Sequence, residues 1–265
     1  MDRERYQELL AAESAAFNDA VTAARLDASV PPCPAWTVAD LVYHLGEVHY
    51  FWGEVARRRL DAPTVEPPVR PPDGEVVGWA AEQAVELQRT LRDTDPATVV
   101  WTWAPQKDVA FIVRRMAQET AVHRWDAQAA AGGTRPIDAE LASDGVDEFF
   151  AFFIDDGPQD GGATVGGSVH LHATDTPGEW VVRERADGTL TVTAEHAKGD
   201  AAVRGPASDL LLVLWRRIGL DDVEVLGDRD VAERLAARSP SILRAATVPP
   251  PTTSTRLPSR RRTTG

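Results

Sequence analysis

Apolar positions recur at steps of three and four through roughly the first 150 residues, then at steps of two, so the chain reads as helices followed by strands. The first helix covers residues 4–26, with Tyr6, Leu9, Leu10, Ala16, Phe17, Val21 and Leu26 on its apolar side. Ser29 to Ala35 is proline-punctuated and reads as a loop. Thr37 and Asp40 have the spacing of a capping box, so a second helix starts there. It buries Val38, Leu41, Leu45, Val48, Trp52 and Val55 and ends in Arg57-Arg58-Arg59, where cations suit the helix dipole. A Pro-rich connection from Asp61 to Asp73 leads to a third helix over 75–93. The aromatic stretch Val99–Trp103 reads as a packing or pocket-lining loop, and a fourth helix over 108–131 stops at Gly132-Gly133.

Four amphipathic helices with short or moderate connections predict a four-helix bundle. A fifth, over 137–154, carries Phe149, Phe150, Phe152 and Phe153 and runs into the Asp- and Gly-rich stretch 155–162, the clearest domain boundary. Beyond it, Ser168–Thr174, Trp180–Arg183 and Leu190–Ala194 read as antiparallel strands turning at Pro177-Gly178 and Asp187-Gly188. Ala201–Arg204 and Val223–Leu226 are further strand candidates. Pro206–Asp209 opens a very apolar helix, Leu210–Ile218, and 229–237 is a last helix. The tail from Pro249 has almost nothing to bury and is expected to be disordered; its Arg260-Arg261-Arg262 cluster is too short for a nucleic-acid arm. The expected division is 1–155 helical, 163–245 small α+β, and 246–265 disordered.

Composition narrows the function classes. A net charge of −13 argues against a nucleic-acid backbone or an anionic membrane as partner. The single cysteine, Cys33, excludes an internal disulfide, and no apolar run approaches the roughly 18 residues of a membrane span. With no secretory leader pattern at Met1, a cytoplasmic protein is expected.

The chemistry concentrates in Gln118–Asp126. The fourth helix's apolar seam, Val109, Ile112, Val113 and Met116, continues by the same steps onto Glu119 and His123. An acid and an imidazole stand where two more apolar residues belong, roughly 40° apart around the helix. They would make two thirds of a catalytic zinc site; a buried ion pair or a hydrogen-bonded core histidine has the same spacing. His44 and His49 lie on the second helix, roughly 140° apart, and periodicity does not decide which turns inward. His170 and His172 share one face of a strand, but no third ligand is near them in sequence, so they read as ordinary strand residues.

Three segments carry a resemblance: Val30-Pro-Pro-Cys-Pro-Ala-Trp-Thr-Val-Ala-Asp-Leu-Val-Tyr-His-Leu45, Glu119-Thr-Ala-Val-His123, and Gly205-Pro-Ala-Ser-Asp-Leu-Leu-Leu-Val-Leu-Trp-Arg-Arg217. In order and content they resemble the mycothiol-dependent maleylpyruvate isomerase family. The resemblance implies a two-domain α plus α/β protein: an N-terminal DinB-like four-helix bundle and a C-terminal small α+β domain similar to sterol-carrier-like folds. It implies a divalent metal, most often zinc, on His44, Glu119 and His123, which selects His44 over His49. Asp126, one turn beyond, would accept a hydrogen bond from a ligand. The family's functional arginine, in a Leu-Trp-Gly-Arg motif, falls on Arg217, with Arg216 standing where the family has glycine; these two are the candidate catalytic residues. The thiol co-substrate would be mycothiol, activated by the metal. It would add to a cis double bond of a small carboxylate-bearing electrophile, permit rotation and leave; without elimination the same apparatus is an S-transferase. A metal enzyme using zinc-bound water and a non-catalytic metal-binding module are the alternatives.

Overall fold

The computed structural model describes residues 1–154 and 164–238. Both the boundary expected at 155–162 and the tail from Pro249 lie outside the described residues.

The first half is helical. Helix α1, Arg3–Ala23, packs along α4, Val109–Ala130, while α2, Val38–Arg58, packs along α3, Asp73–Asp93. The α2–α4 contact joins the two pairs into the expected bundle. Thr37 caps α2 with the full reciprocal box: its hydroxyl accepts from the Asp40 N–H at 3.2 Å, and the Asp40 carboxylate accepts from the Thr37 N–H at 2.9 Å. Gly46 is required for the close approach of α2 and α3, because a Cβ there would collide with the Trp79 ring.

The proline-punctuated stretch before α2 is not a plain loop. Ser29–Val30 (β1) and Cys33–Thr37 (β2) pair as a small antiparallel hairpin, Ser29 opposite Thr37 and Val30 opposite Cys33. Pro31 and Pro32 sit in its turn, where no ladder N–H is needed. The connection after α2 is tied back to that helix's start: Arg70 pairs with Asp40 at 2.6 Å, and the Tyr43 hydroxyl donates to the Pro68 carbonyl at 3.0 Å. In the aromatic stretch before α4, Trp101 stacks on Trp52 at 5.8 Å, while Trp103 meets Phe111, Phe152 and Phe153 edge-on. It packs.

Helix α4 departs most from its expected pattern. A single apolar seam predicts one solvated face, yet Arg115, Gln118, Glu119, Thr120, His123, Arg124 and Asp126 are all buried. The helix has α1, α2 and α5 around it, so its polar residues face protein.

Helix α5, Ala139–Phe152, lies against α4 and also against α6, Ala207–Leu214, the apolar helix of the second half. The sheet contains β3 (Ser168–Ala173), β4 (Glu179–Glu184), β5 (Leu190–Thr193), β6 (Ala201–Gly205) and β7 (Glu224–Gly227), in the order β5-β4-β3-β6-β7. It is mixed rather than wholly antiparallel: β6 returns to the free edge of β3 and runs parallel to it. Val169, Leu171 and Ala173 of β3 are buried in the core shared with α6 and α7 (Arg229–Ala237); His170 and His172 point to the opposite face.

Helix α6 stops at Leu214, four residues earlier than its apolar run suggests. The Arg216 N–H bonds to the Val213 carbonyl and the Arg217 N–H to the Leu212 carbonyl, with Arg216 left-handed at φ 57°. This is a Schellman ending with Arg216 in the position that favours glycine. The reversal sends consecutive arginines in different directions.

Candidate metal centre

Two helices and the end of a third build the centre. His44 comes from the second turn of α2, Glu119 and His123 from the middle of α4, and Arg217 from just past α6. The three expected ligands converge, with ligand atoms all within 4.8 Å of one another. Glu119 Oε1 lies 3.4 Å from His44 Nε2 and 3.2 Å from His123 Nε2. The imidazole centroids are 5.0 Å apart, nearly perpendicular, and Trp36 of β2 covers both rings, 4.9 Å from His44 and 6.4 Å from His123.

Two of the three candidate ligands are oriented from behind. The other Glu119 oxygen, Oε2, accepts from the buried Arg115, which also donates to Glu148 of α5 at 2.5 Å. Arg115 thus spends one oxygen of Glu119 and leaves Oε1 to face the histidines. His123 Nδ1 lies 3.0 Å from Asp126 Oδ2. An ionised carboxylate only accepts, so Nδ1 carries a hydrogen toward Asp126, and by the same rule Nε2 donates to Glu119 Oε1 while no ion is bound. Against burial, these two carboxylates raise the pKa of His123; an ion would take the place of the Nε2 proton. Asp126 is fully buried, and Arg217 grips it with a two-point fork, Nε to Oδ1 at 3.0 Å and Nη2 to Oδ2 at 2.8 Å.

Electrostatics follows this layout. Burial alone would raise the carboxyl of Glu119, but Arg115 and the two imidazoles hold it well below the usual carboxylate range. Asp126 is likewise depressed against burial by Arg217 and His123. Burial, with His123 nearby, lowers His44 and favours its neutral, ligating form. His44 Nε2 is buried and has no hydrogen-bond partner among the described residues. An unpartnered buried nitrogen is costly, and a cation between it, Glu119 Oε1 and His123 Nε2 would complete all three. Two imidazoles and one carboxylate, with His123 giving up its Nε2 proton, would be the donor set of a zinc site that keeps a position open.

Domain models of one family match both halves in order: the mycothiol maleylpyruvate isomerase N-terminal domain over residues 8–128, and its C-terminal domain over 140–234, from the first turn of α5. The chain belongs to the mycothiol maleylpyruvate isomerase family. Two crystal structures share its fold, those of mycothiol-dependent maleylpyruvate isomerase and of a histidine-to-alanine mutant of it. The mutant has TM-score 0.59 and the other 0.56, each at 12% identity, covering 85% of this chain and 93% of theirs. No curated protein sequence matches the chain.

Within this family member, the other expected residues are placed as follows. His49 is buried beside the triad but not in it, 2.9 Å from the Thr120 hydroxyl. Arg217 is buried against Asp126, whereas Arg216 is exposed on a groove with Val213, Ile218, Arg229 and Glu233 that includes no triad residue. Cys33 is buried, and burial with Asp126 nearby pushes its thiol up to about 11, so it is a poor nucleophile at neutral pH. Sequence reasoning missed Arg115, Glu148 and the covering role of Trp36. Arg115 stands four residues before Glu119 and was legible only as a possible helix pair.

Proposed function

We propose that this chain is a metal- and thiol-dependent enzyme of the isomerase or S-transferase type. Its substrate is a small electrophile bearing a carboxylate, and mycothiol, the thiol named for its structural relatives, is its co-substrate. His44, Glu119 and His123 would hold a divalent ion, zinc by the chemistry of the donors. The observation that carries this reading is the convergence of the three ligand atoms on a buried point where His44 Nε2 lacks a hydrogen-bond partner among the described residues.

When bound, such an ion supplies Lewis acidity and lowers the pKa of a coordinated thiol. The chain's own residues prepare the place. Arg115 keeps Glu119 ionised and turned, Asp126 holds the Nδ1 side of His123, and Trp36 packs over both rings. Arg217 has two donors committed to Asp126 and therefore acts on His123 through it, as a positioning residue; a grip on a substrate carboxylate requires that pair to open. The buried, weakly acidic Cys33 leaves the role of nucleophile to the external thiol, which suits a reducing cytoplasmic setting.

The test is cobalt substitution followed by thiol addition. The visible spectrum of the cobalt-loaded chain should shift with the thiol, and His44→Ala and Glu119→Ala should lose both that shift and thiol-dependent turnover. Turnover without thiol would overturn the thiol role in favour of a hydrolytic metal enzyme. Ligand affinity unchanged in His123→Ala, with no turnover in the parent, would mark a binding module.

A further inference from the structure

The three histidines of the second half, His170, His172 and His196, meet around one carboxylate on the sheet face opposite α6 and α7. His170 and His172 are alternate residues of β3, and Glu179 of β4 is the cross-strand partner of His172. His196 lies in the connection from β5 to β6 and folds back over the same spot. Glu179 Oε1 is 2.9 Å from His172 Nδ1, and Oε2 is 2.6 Å from His196 Nδ1 and 3.4 Å from His170 Nε2. The ring centroids lie 5.4 to 6.4 Å apart, and the four ligand atoms are all within 4.8 Å of one another.

Hydrogen bonding leaves this cluster incomplete. Glu179 accepts from His172 and His196, yet His170, only 8% exposed, aims Nε2 at the same carboxylate with no hydrogen-bond partner among the described residues. A buried ring nitrogen, two more imidazoles and a carboxylate oxygen around one point form a four-donor set. We propose that His170, His172, Glu179 and His196 form a second metal site, for a divalent ion of the zinc class. Imidazole donors select zinc, nickel or copper over magnesium or calcium, which take oxygen.

Four protein donors also leave no position open, the arrangement of a structural rather than a catalytic zinc. The ion would clip the β5–β6 connection onto β3 and β4 through His196, whose side chain is otherwise 79% exposed. This site does not depend on the chemistry proposed for His44, Glu119 and His123, and each can fail without the other.

The experiment uses the full chain carrying Glu119→Ala, stripped of metal and titrated with Zn²⁺ by calorimetry, with His44→Ala as the alternative background should that variant misfold. Saturable binding of one ion, lost on adding His196→Ala or His172→Ala, is the expected result. Both second substitutions are at partly exposed positions, and circular dichroism checks that the fold survives them. Zn²⁺ should also raise the melting temperature of the Glu119→Ala chain but not of the double variants. A folded Glu119→Ala chain that binds no Zn²⁺, or binding that survives both second substitutions, overturns the proposal.

Discussion

Arg216 holds a backbone conformation at φ 57° that L side chains adopt at a cost of about 1 kcal/mol or more, at the helix-ending position that favours glycine. Arg216→Gly removes that strain but loosens the unfolded chain by a similar amount. Thermal unfolding should therefore place it within about 1 kcal/mol of the parent, whereas the β-branched Arg216→Val should be destabilised by more than that. His49 gives the pH dependence. Burial lowers its pKa from 6.5 to about 3, so the unfolded chain takes up a proton as pH falls through 6.5 while the folded chain does not. Its share of stability is full above 6.5 and is lost as pH falls from there toward 3. His44, also lowered, acts with the same sign. His123, raised by Asp126 and Glu119 against burial, acts oppositely: its share is full below 6.5 and lost as pH rises through the folded value. Glutamine keeps a hydrogen-bonding group beside Thr120 but does not titrate, so denaturant unfolding of His49→Gln should show a shallower loss of stability between pH 6.5 and 4 than the parent.

At the scale of elements, the hairpin β1–β2 and the capping box work together. The hairpin carries Trp36 over the histidines, and Thr37, its last residue, starts the helix that holds His44 in its second turn. Thr37→Ala should cost about 1 kcal/mol by chemical denaturation. Because the cap sets the helix start, metal affinity at the triad should weaken in the same variant, while the β3–β4 histidine cluster is untouched. The capping box was legible from two residues and their spacing. The hairpin was not, because a run of three prolines in four positions from Pro31 reads as a loop unless the pairing of Ser29 with Thr37 is known. The polar faces of α4 were hidden for a related reason: charges at helical spacing read as solvated, and only neighbours on several sides bury Arg115 and Asp126.

At the scale of the molecule, the two halves are joined where α5 meets the end of α6. Trp215 is buried there, 5.0 Å from Phe149 and 4.9 Å from Phe153, and Phe153 in turn lies beneath the Arg115 guanidinium at 4.8 Å. Truncation of a buried aromatic of this kind costs about 3–5 kcal/mol. Trp215→Ala should lower the melting temperature and separate the unfolding of the C-terminal sheet from that of the bundle in a calorimetric scan. Two residues further on, Arg217 crosses from the second half to Asp126 of the first, so the same variant should weaken metal binding at the triad.

The sequence by itself determined the helices, most strands and the interruption of an apolar seam by Glu119 and His123, because those are set by local periodicity and by the cost of burying polar groups. Its resemblance to a family added His44 and Arg217. Only the tertiary structure decided that Arg115 and Glu148 back the first cluster, that Arg217 turns inward while Arg216 turns out, and that Glu179 and His196 join His170 and His172. The reason is physical: a side chain's neighbours across helices and strands depend on register and packing between segments far apart in the chain, which no local pattern encodes.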